Sequence, residues 1–135
     1  MPIPKVALVT GATRGAGKGI ALGLAAKGMT VYVTGRSGRT ATATLKGETL
    51  SGTLDETIAA INAAGGTGIG ITCDHGDDEQ TRQVFEQIGQ EQGRLDVLVN
   101  NAAYIDDSLI DPGGFWEKSL DLVRILDIGL RSAYV

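Results

Sequence analysis

The sequence is poor in the residues that build several classes of protein. It holds one cysteine among 135 residues. Cys73 alone excludes an internal disulfide framework and a metal site built from several cysteines. There are 3 prolines and no Gly-X-Y period, which excludes a collagen-like chain and a low-complexity linker. No apolar run approaches the roughly 20 residues that a membrane span needs. Basic residues are outnumbered, 12 Lys+Arg against 16 Asp+Glu, for a net charge of −4. That balance argues against a nucleic-acid binder and against docking on an anionic membrane. The opening Met1–Val6 lacks the features of a signal peptide, so the expected setting is cytoplasmic. Glycine is what the chain has in excess: 20 residues, about twice the usual share. With 42% hydrophobic residues, the length suits one domain with a real core.

Short apolar segments alternate with helical ones. Val6-Ala7-Leu8-Val9 is a continuous apolar run ending at Gly11, the habit of a strand buried on both faces. Residues 17–27 carry Ile20, Leu22 and Leu24 at helical spacing and stop at Gly28. Residues 30–34 are rich in β-branched residues and form a second strand. Strand, turn, helix and strand within about 30 residues make a βαβ unit. Residues 35–52 read as a long irregular surface loop. Leu54, Ile58 and Ile61 mark a second helix. Residues 67–73 form a third strand, weakened by glycine. Asp77 or Asp78 caps a third helix that holds Val84, Phe85 and Ile88 and closes at Gly93. Leu95–Val99 is the fourth strand. Residues 116–134 read as a last helix, apolar nearly all round, buried both in the core and against a partner. The order βαβαβαβα predicts a parallel sheet wound by right-handed crossovers, a three-layer α/β sandwich.

The segment Thr10-Gly11-Ala12-Thr13-Arg14-Gly15-Ala16-Gly17-Lys18-Gly19 leaves the first strand and opens the first helix. Gly11 permits a tight exit. Gly15 lets a pyrophosphate approach the helix N-terminus, where free N–H groups and the dipole favour negative charge. Gly17 and Gly19 allow the helix to pack closely on the sheet. The alternative is a glycine turn chosen for packing alone. At the end of the second strand, NAD sites place a carboxylate for the ribose 2′-OH. Here Thr34-Gly35-Arg36 has none. Arg36, with Arg14 in the turn, suits a 2′-phosphate and points to NADP(H) over NAD(H). For each arginine the alternative is a solvated surface charge.

These motifs resemble the short-chain dehydrogenase/reductase family. Three carry the resemblance: Thr10-Gly11-x-x-x-Gly15-x-Gly17, Cys73-Asp74, and Leu95-Asp96-Val97-Leu98-Val99-Asn100-Asn101-Ala102. Phe115-Trp116-Glu117 with Gly129-Leu130-Arg131 is similar to the family's member 1 branch. The resemblance implies a Rossmann-like, doubly wound sheet of strand order 3-2-1-4, cut short before a fifth strand. Residues 1–135 would be a single NADP(H)-binding domain, the N-terminal portion of such an enzyme. It assigns cofactor contacts to Gly11, Thr13, Arg14, Gly15, Ala16, Gly17 and Arg36. Asp74 would bind the adenine amino group with the backbone of His75 beside it, Asn100 and Ala102 would line the adenosine ribose, and Ile128 would also touch the cofactor. Asn101 would brace the fourth strand. Ala103 stands where the family usually has Gly.

Asp127 falls where the family places an Asn whose kinked backbone carbonyl holds a relay water. The family's catalytic Ser and Tyr-x-x-x-Lys are not found: Tyr32 and Tyr104 are followed four residues on by Arg36 and Ser108, and Tyr134 by none. His75 lies beside the adenine site, away from hydride transfer, and Cys73 reads as core. Asp106, Asp107 and Asp111 read as a solvated acidic loop. The expected function is therefore the NADP(H)-binding portion of an oxidoreductase that moves hydride between NADPH and a carbonyl or alcohol. The alternatives are a non-catalytic nucleotide-binding or interaction module, or half of a split enzyme. Association as a homo-oligomer is expected, through the last helix or the open edge of the fourth strand.

Overall fold

A computed structural model describes residues 2–135. Val6–Val9 forms β1, with all four residues buried. Thr30–Gly35 forms β2, parallel to β1 with Val6 opposite Thr30. Two short antiparallel strands follow, β3 (Thr44–Leu45) and β4 (Glu48–Thr49). Thr67–Thr72 forms β5, parallel to β2, and Val97–Val99 forms β6, parallel to β1. The main sheet runs β5-β2-β1-β6. With the small β3–β4 pair set aside, that is the expected 3-2-1-4 order.

Three helices sandwich this sheet: α1 (Gly15–Ala25), α2 (Leu54–Ala63) and α3 (Asp78–Gln92). Successive strand residues point to opposite faces, which is why the apolar runs are continuous. Ala7, Val9, Val31 and Val33 pack with Ala21, Ala25, Leu54 and Ile61 of α1 and α2. Val6, Leu8, Tyr32 and Cys73 pack with Val84 and Ile88 of α3. Helix α3 starts at Asp77, whose carboxylate accepts from the N–H groups of Glu79 and Gln80, and ends at Gly93 in the left-handed region (φ 68°). Strand β6 begins at Val97 rather than Leu95, because the Asp96 carboxylate turns back to accept the Val6 N–H at 2.7 Å.

Two expectations fail. Residues 35–52 are not wholly irregular: Ala43–Leu50 is a hairpin. Its turn residues, Lys46 (φ 50°) and Gly47 (φ 81°), are both left-handed, the geometry that matches strand twist. Strands of two residues show no alternation from which to read them. The last helix is the larger correction. Residues 115–134 form 3-10 turns at Phe115–Glu117 and Leu120–Val123, one α-turn at Arg124–Leu126, and a final turn at Ser132–Tyr134. Between the last two, Ile128 is extended and Gly129 (φ 145°) breaks the helix. Their apolar residues are not buried: Leu120 is 89% exposed and Leu130 66%. No described residue from Ala103 onward is buried.

Candidate functional site

The glycine turn between β1 and α1 is held from three sides. Thr34 of β2 receives the Gly11 N–H on Oγ1 (3.2 Å) and the Ala12 N–H on its carbonyl (2.9 Å). The Thr57 hydroxyl of α2 donates to the Ala12 carbonyl at 2.9 Å. After β6, the Asn101 amide donates to the carbonyls of Thr10 (3.0 Å) and Gly11 (2.9 Å). The backbone N–H groups of Asn101 and Ala102 both donate to Thr10 Oγ1. This packing explains Gly17: a Cβ there would lie 2.4 Å from the Asn101 amide nitrogen and 2.5 Å from the Gly11 carbonyl oxygen. Gly19, by contrast, faces open space, so the close packing expected of it is absent. Asn101 braces the turn more than the strand.

The start of α1 differs from the other helix starts. Helix α2 opens on a capping box between Thr53 and Glu56, and α3 on Asp77. Helix α1 has extended Arg14 before it, no side-chain cap and no acidic residue in its first turn. Its first N–H groups and the positive end of its dipole therefore have no side-chain partner.

That end opens on a cleft of about 750 Å³. Among the expected residues, Gly11, Thr13, Arg14, Ala16, Gly17, Arg36, Asp74, His75, Ala102 and Ile128 line it. Gly15 is exposed in the left-handed region (φ 57°) with no atom within 4 Å of where a Cβ would stand. Asn100 is not brought to the cleft. It lines a smaller cavity on the other side of β6, and its amide reaches the Ala133 carbonyl at 3.5 Å. Neighbouring strand-end residues point opposite ways, so Asn101 faces the cleft instead. Arg14 Nε donates to the Ser51 carbonyl at 2.9 Å, which fixes the guanidinium beside the turn. Arg36 is exposed at the end of β2 and has no ion-pair partner among the described residues. The Asp74 carboxylate accepts the Gly76 N–H at 2.8 Å and stays exposed at the rim.

Several wall residues carried no sequence signal. Residues 42–50 contribute Thr42, Thr44, Leu45 and Leu50, and the segment after β6 contributes Tyr104 and Ile105. Ser37 is buried, and its hydroxyl pairs with Thr42. The Tyr104 hydroxyl donates to Asp106, which raises its pKa, and Arg124 lies 4.3 Å over its ring. Lys46 at the hairpin tip pairs with Asp111 of the segment after β6 and lowers that carboxyl's pKa. At Asp127 the backbone does kink, one residue later, and the Ile128 carbonyl accepts the Tyr104 N–H at 2.7 Å. Burial pushes the Cys73 thiol up to about 11, leaving it protonated and inert.

Comparison with known proteins agrees with this geometry. A family described as short chain dehydrogenase matches residues 5–122. "Dehydrogenase/reductase SDR family member 1" of Mus musculus is 38% identical over 97% of the chain, which covers 39% of that protein. A "3-oxoacyl-[acyl-carrier-protein] reductase" of Synechocystis is 34% identical over 97% of the chain and 47% of its own length. A crystal structure of a putative short-chain alcohol dehydrogenase from Sinorhizobium meliloti superposes with a TM-score of 0.72 at 32% identity, over 96% of this chain and 45% of that one. The chain thus spans under half the length of these relatives, and it belongs to the short-chain dehydrogenase/reductase family.

Proposed function

We propose that residues 1–135 bind NADP(H) in preference to NAD(H), as the cofactor-binding portion of a short-chain oxidoreductase. The observation that carries this reading is the uncapped N-terminus of α1, opening on a cleft flanked by Arg14 and Arg36. The first-turn N–H groups of α1 would take the pyrophosphate. Arg36, with Arg14 fixed beside it, would take the ribose 2′-phosphate, which guanidinium binds in bidentate fashion. The absence of a carboxylate at the end of β2 removes the group that would repel that phosphate. Asp74 would meet the adenine amino group with the His75 backbone beside it, Ala102 would line the adenosine ribose, and Ile128 would also touch the cofactor. When bound, the nicotinamide supplies the hydride donor or acceptor for a carbonyl–alcohol conversion. The tyrosine, lysine and serine that handle the proton in this family are not among these residues.

Titration calorimetry with NADPH and NADH tests the cofactor claim. NADPH should bind more tightly, and Arg36→Ala should weaken NADPH alone by about tenfold, the loss of one charged hydrogen bond. Tighter binding of NADH overturns the arginine argument. The reading includes self-association in a cytoplasmic setting, supported by the exposed Leu98 on the open β6 edge and the exposed apolar residues of 115–135. A sharp monomer in light scattering at high concentration would remove that part.

A further inference from the structure

His75 is the only histidine in the chain, and the proposed cofactor chemistry does not use its ring. The imidazole is buried between β2 and α3, at the wall that separates the large cleft from the smaller cavity. Nε2 lies 2.8 Å from Thr34 Oγ1, and Nδ1 lies 3.1 Å from Thr81 Oγ1. The neighbours of the Thr34 hydroxyl set the direction of the chain. The Thr81 hydroxyl has the Asp77 carbonyl (3.4 Å) and the Cys73 sulfur as acceptors, which leaves its oxygen to receive Nδ1–H. The Thr34 oxygen already accepts the Gly11 N–H, and its own proton finds an acceptor in Nε2. One line of donors therefore runs from the Gly11 N–H through Thr34 to Nε2, and from Nδ1–H through Thr81 to the start of α3. It closes only with a neutral ring protonated on Nδ1.

We propose that His75 is a proton-sensitive positioning residue: as the neutral Nδ1–H tautomer it ties the base of the glycine turn to α3, and protonation of Nε2 unties it. A proton on Nε2 would take the second acceptor site of the Thr34 oxygen, beside the Gly11 N–H. The Thr34 hydroxyl proton, fully buried, would then have no acceptor, and an unpaired buried donor is costly. Burial likewise holds the ring below its ordinary pKa of 6.5. The groups that face it do not reverse this. Asp74, on its own segment, favours the charged ring but is exposed and occupied by the Gly76 N–H. From α3, Asp77 spends its carboxylate on the helix cap, and Asp78 is paired with Arg131. The Cys73 thiol is neutral. Thr34 presents no charge, Arg14 of the glycine turn adds a positive charge to the same cleft and is held on the Ser51 carbonyl, and the final segment presents Tyr134.

The role rests on the dinucleotide reading for its purpose, but its test does not. Because the ring is unique, its nitrogen resonances can be followed directly. The expected spectrum shows the Nδ1–H tautomer at neutral pH and a titration midpoint below 6.5, with the Gly11 amide resonance moving at the same midpoint. An Nε2–H tautomer, or a Gly11 amide that stays still while His75 titrates, overturns the proposal. His75→Gln keeps one acceptor for Thr34 and one donor for Thr81 and does not titrate, so its Gly11 amide should hold constant. Below the midpoint of its own His75 titration, the wild type should lose NADP+ affinity by up to about tenfold per pH unit relative to His75→Gln. Equal pH profiles for the two proteins also overturn it. If neither protein binds NADP+ at any pH, the cofactor reading fails, while the tautomer and the Gly11 amide still decide the role of His75.

Discussion

Residues 6–92 and residues 103–135 use the same apolar alphabet to opposite effect. In the first stretch, Leu8, Val9, Val31, Val33 and Ile61 are fully buried between strands and helices. In the second, Phe115, Trp116, Leu120 and Leu130 are each at least 66% exposed, and the helical turns there do not run on into one helix. The difference is one of partners rather than composition. Each main-sheet strand of the first stretch has a helix above or below it, whereas β6 has a neighbour on one edge only. A helix gains most of its stability by packing an apolar face. The segment after β6 has no further strand among the described residues to pack on, so its turns stay short and its leucines face outward.

Truncating one large aliphatic side chain in each stretch is the strongest test of that contrast. Ile61→Ala should lower unfolding stability by about 2–5 kcal/mol, because the side chain leaves a cavity between α2 and the sheet. Leu130→Ala should change it by no more than about 0.5 kcal/mol. Denaturant unfolding of both variants measures this, and equal losses would mean that the final segment is packed in solution. Gly17→Ala acts at the seam, where the turn meets Asn101. Its Cβ would press on backbone and on an amide that holds two carbonyls, for a loss of about 1–3 kcal/mol. NADPH affinity should fall with it, since the turn must shift, whereas Gly19→Ala meets open space inside α1 and should raise stability by about 0.5–1 kcal/mol while leaving NADPH affinity unchanged.

The first stretch was far more legible in the sequence than the second, for a physical reason. Val6–Val9, the Gly93 stop and the Asp77 cap are local signals whose outcome depends on near neighbours. So is the glycine turn, since residue type at Gly17 answers to contacts made within one βαβ unit and Asn101. The burial of Leu120, Leu126 and Leu130 depends on what lies opposite them, and periodicity cannot supply an opposing surface. Asn100 and Asn101 were hard to place for another reason: a one-residue change of side sends Asn100 to the smaller cavity and Asn101 to the cleft. The hairpin's part in the cleft wall was hidden because its strands are two residues each. The line from Gly11 to Thr81 was hidden because a lone histidine after a strand says nothing of two threonines far apart in sequence.

The smallest expected effect lies where the hairpin of the first stretch meets the second stretch. Lys46, at the hairpin tip, pairs with Asp111, and Lys118 bonds the Asp111 carbonyl. Both partners of the ion pair are about half exposed, so solvent and salt screen it and its share of global stability is slight. Its effect should instead be local. Lys46→Ala should leave the unfolding midpoint unmoved while amide exchange speeds up in the hairpin and in residues 104–111 together, and raised salt should reproduce this in the wild type. Faster exchange in the hairpin alone would show that the later segment is held by something other than this pair, and that the two stretches are independent at the cleft.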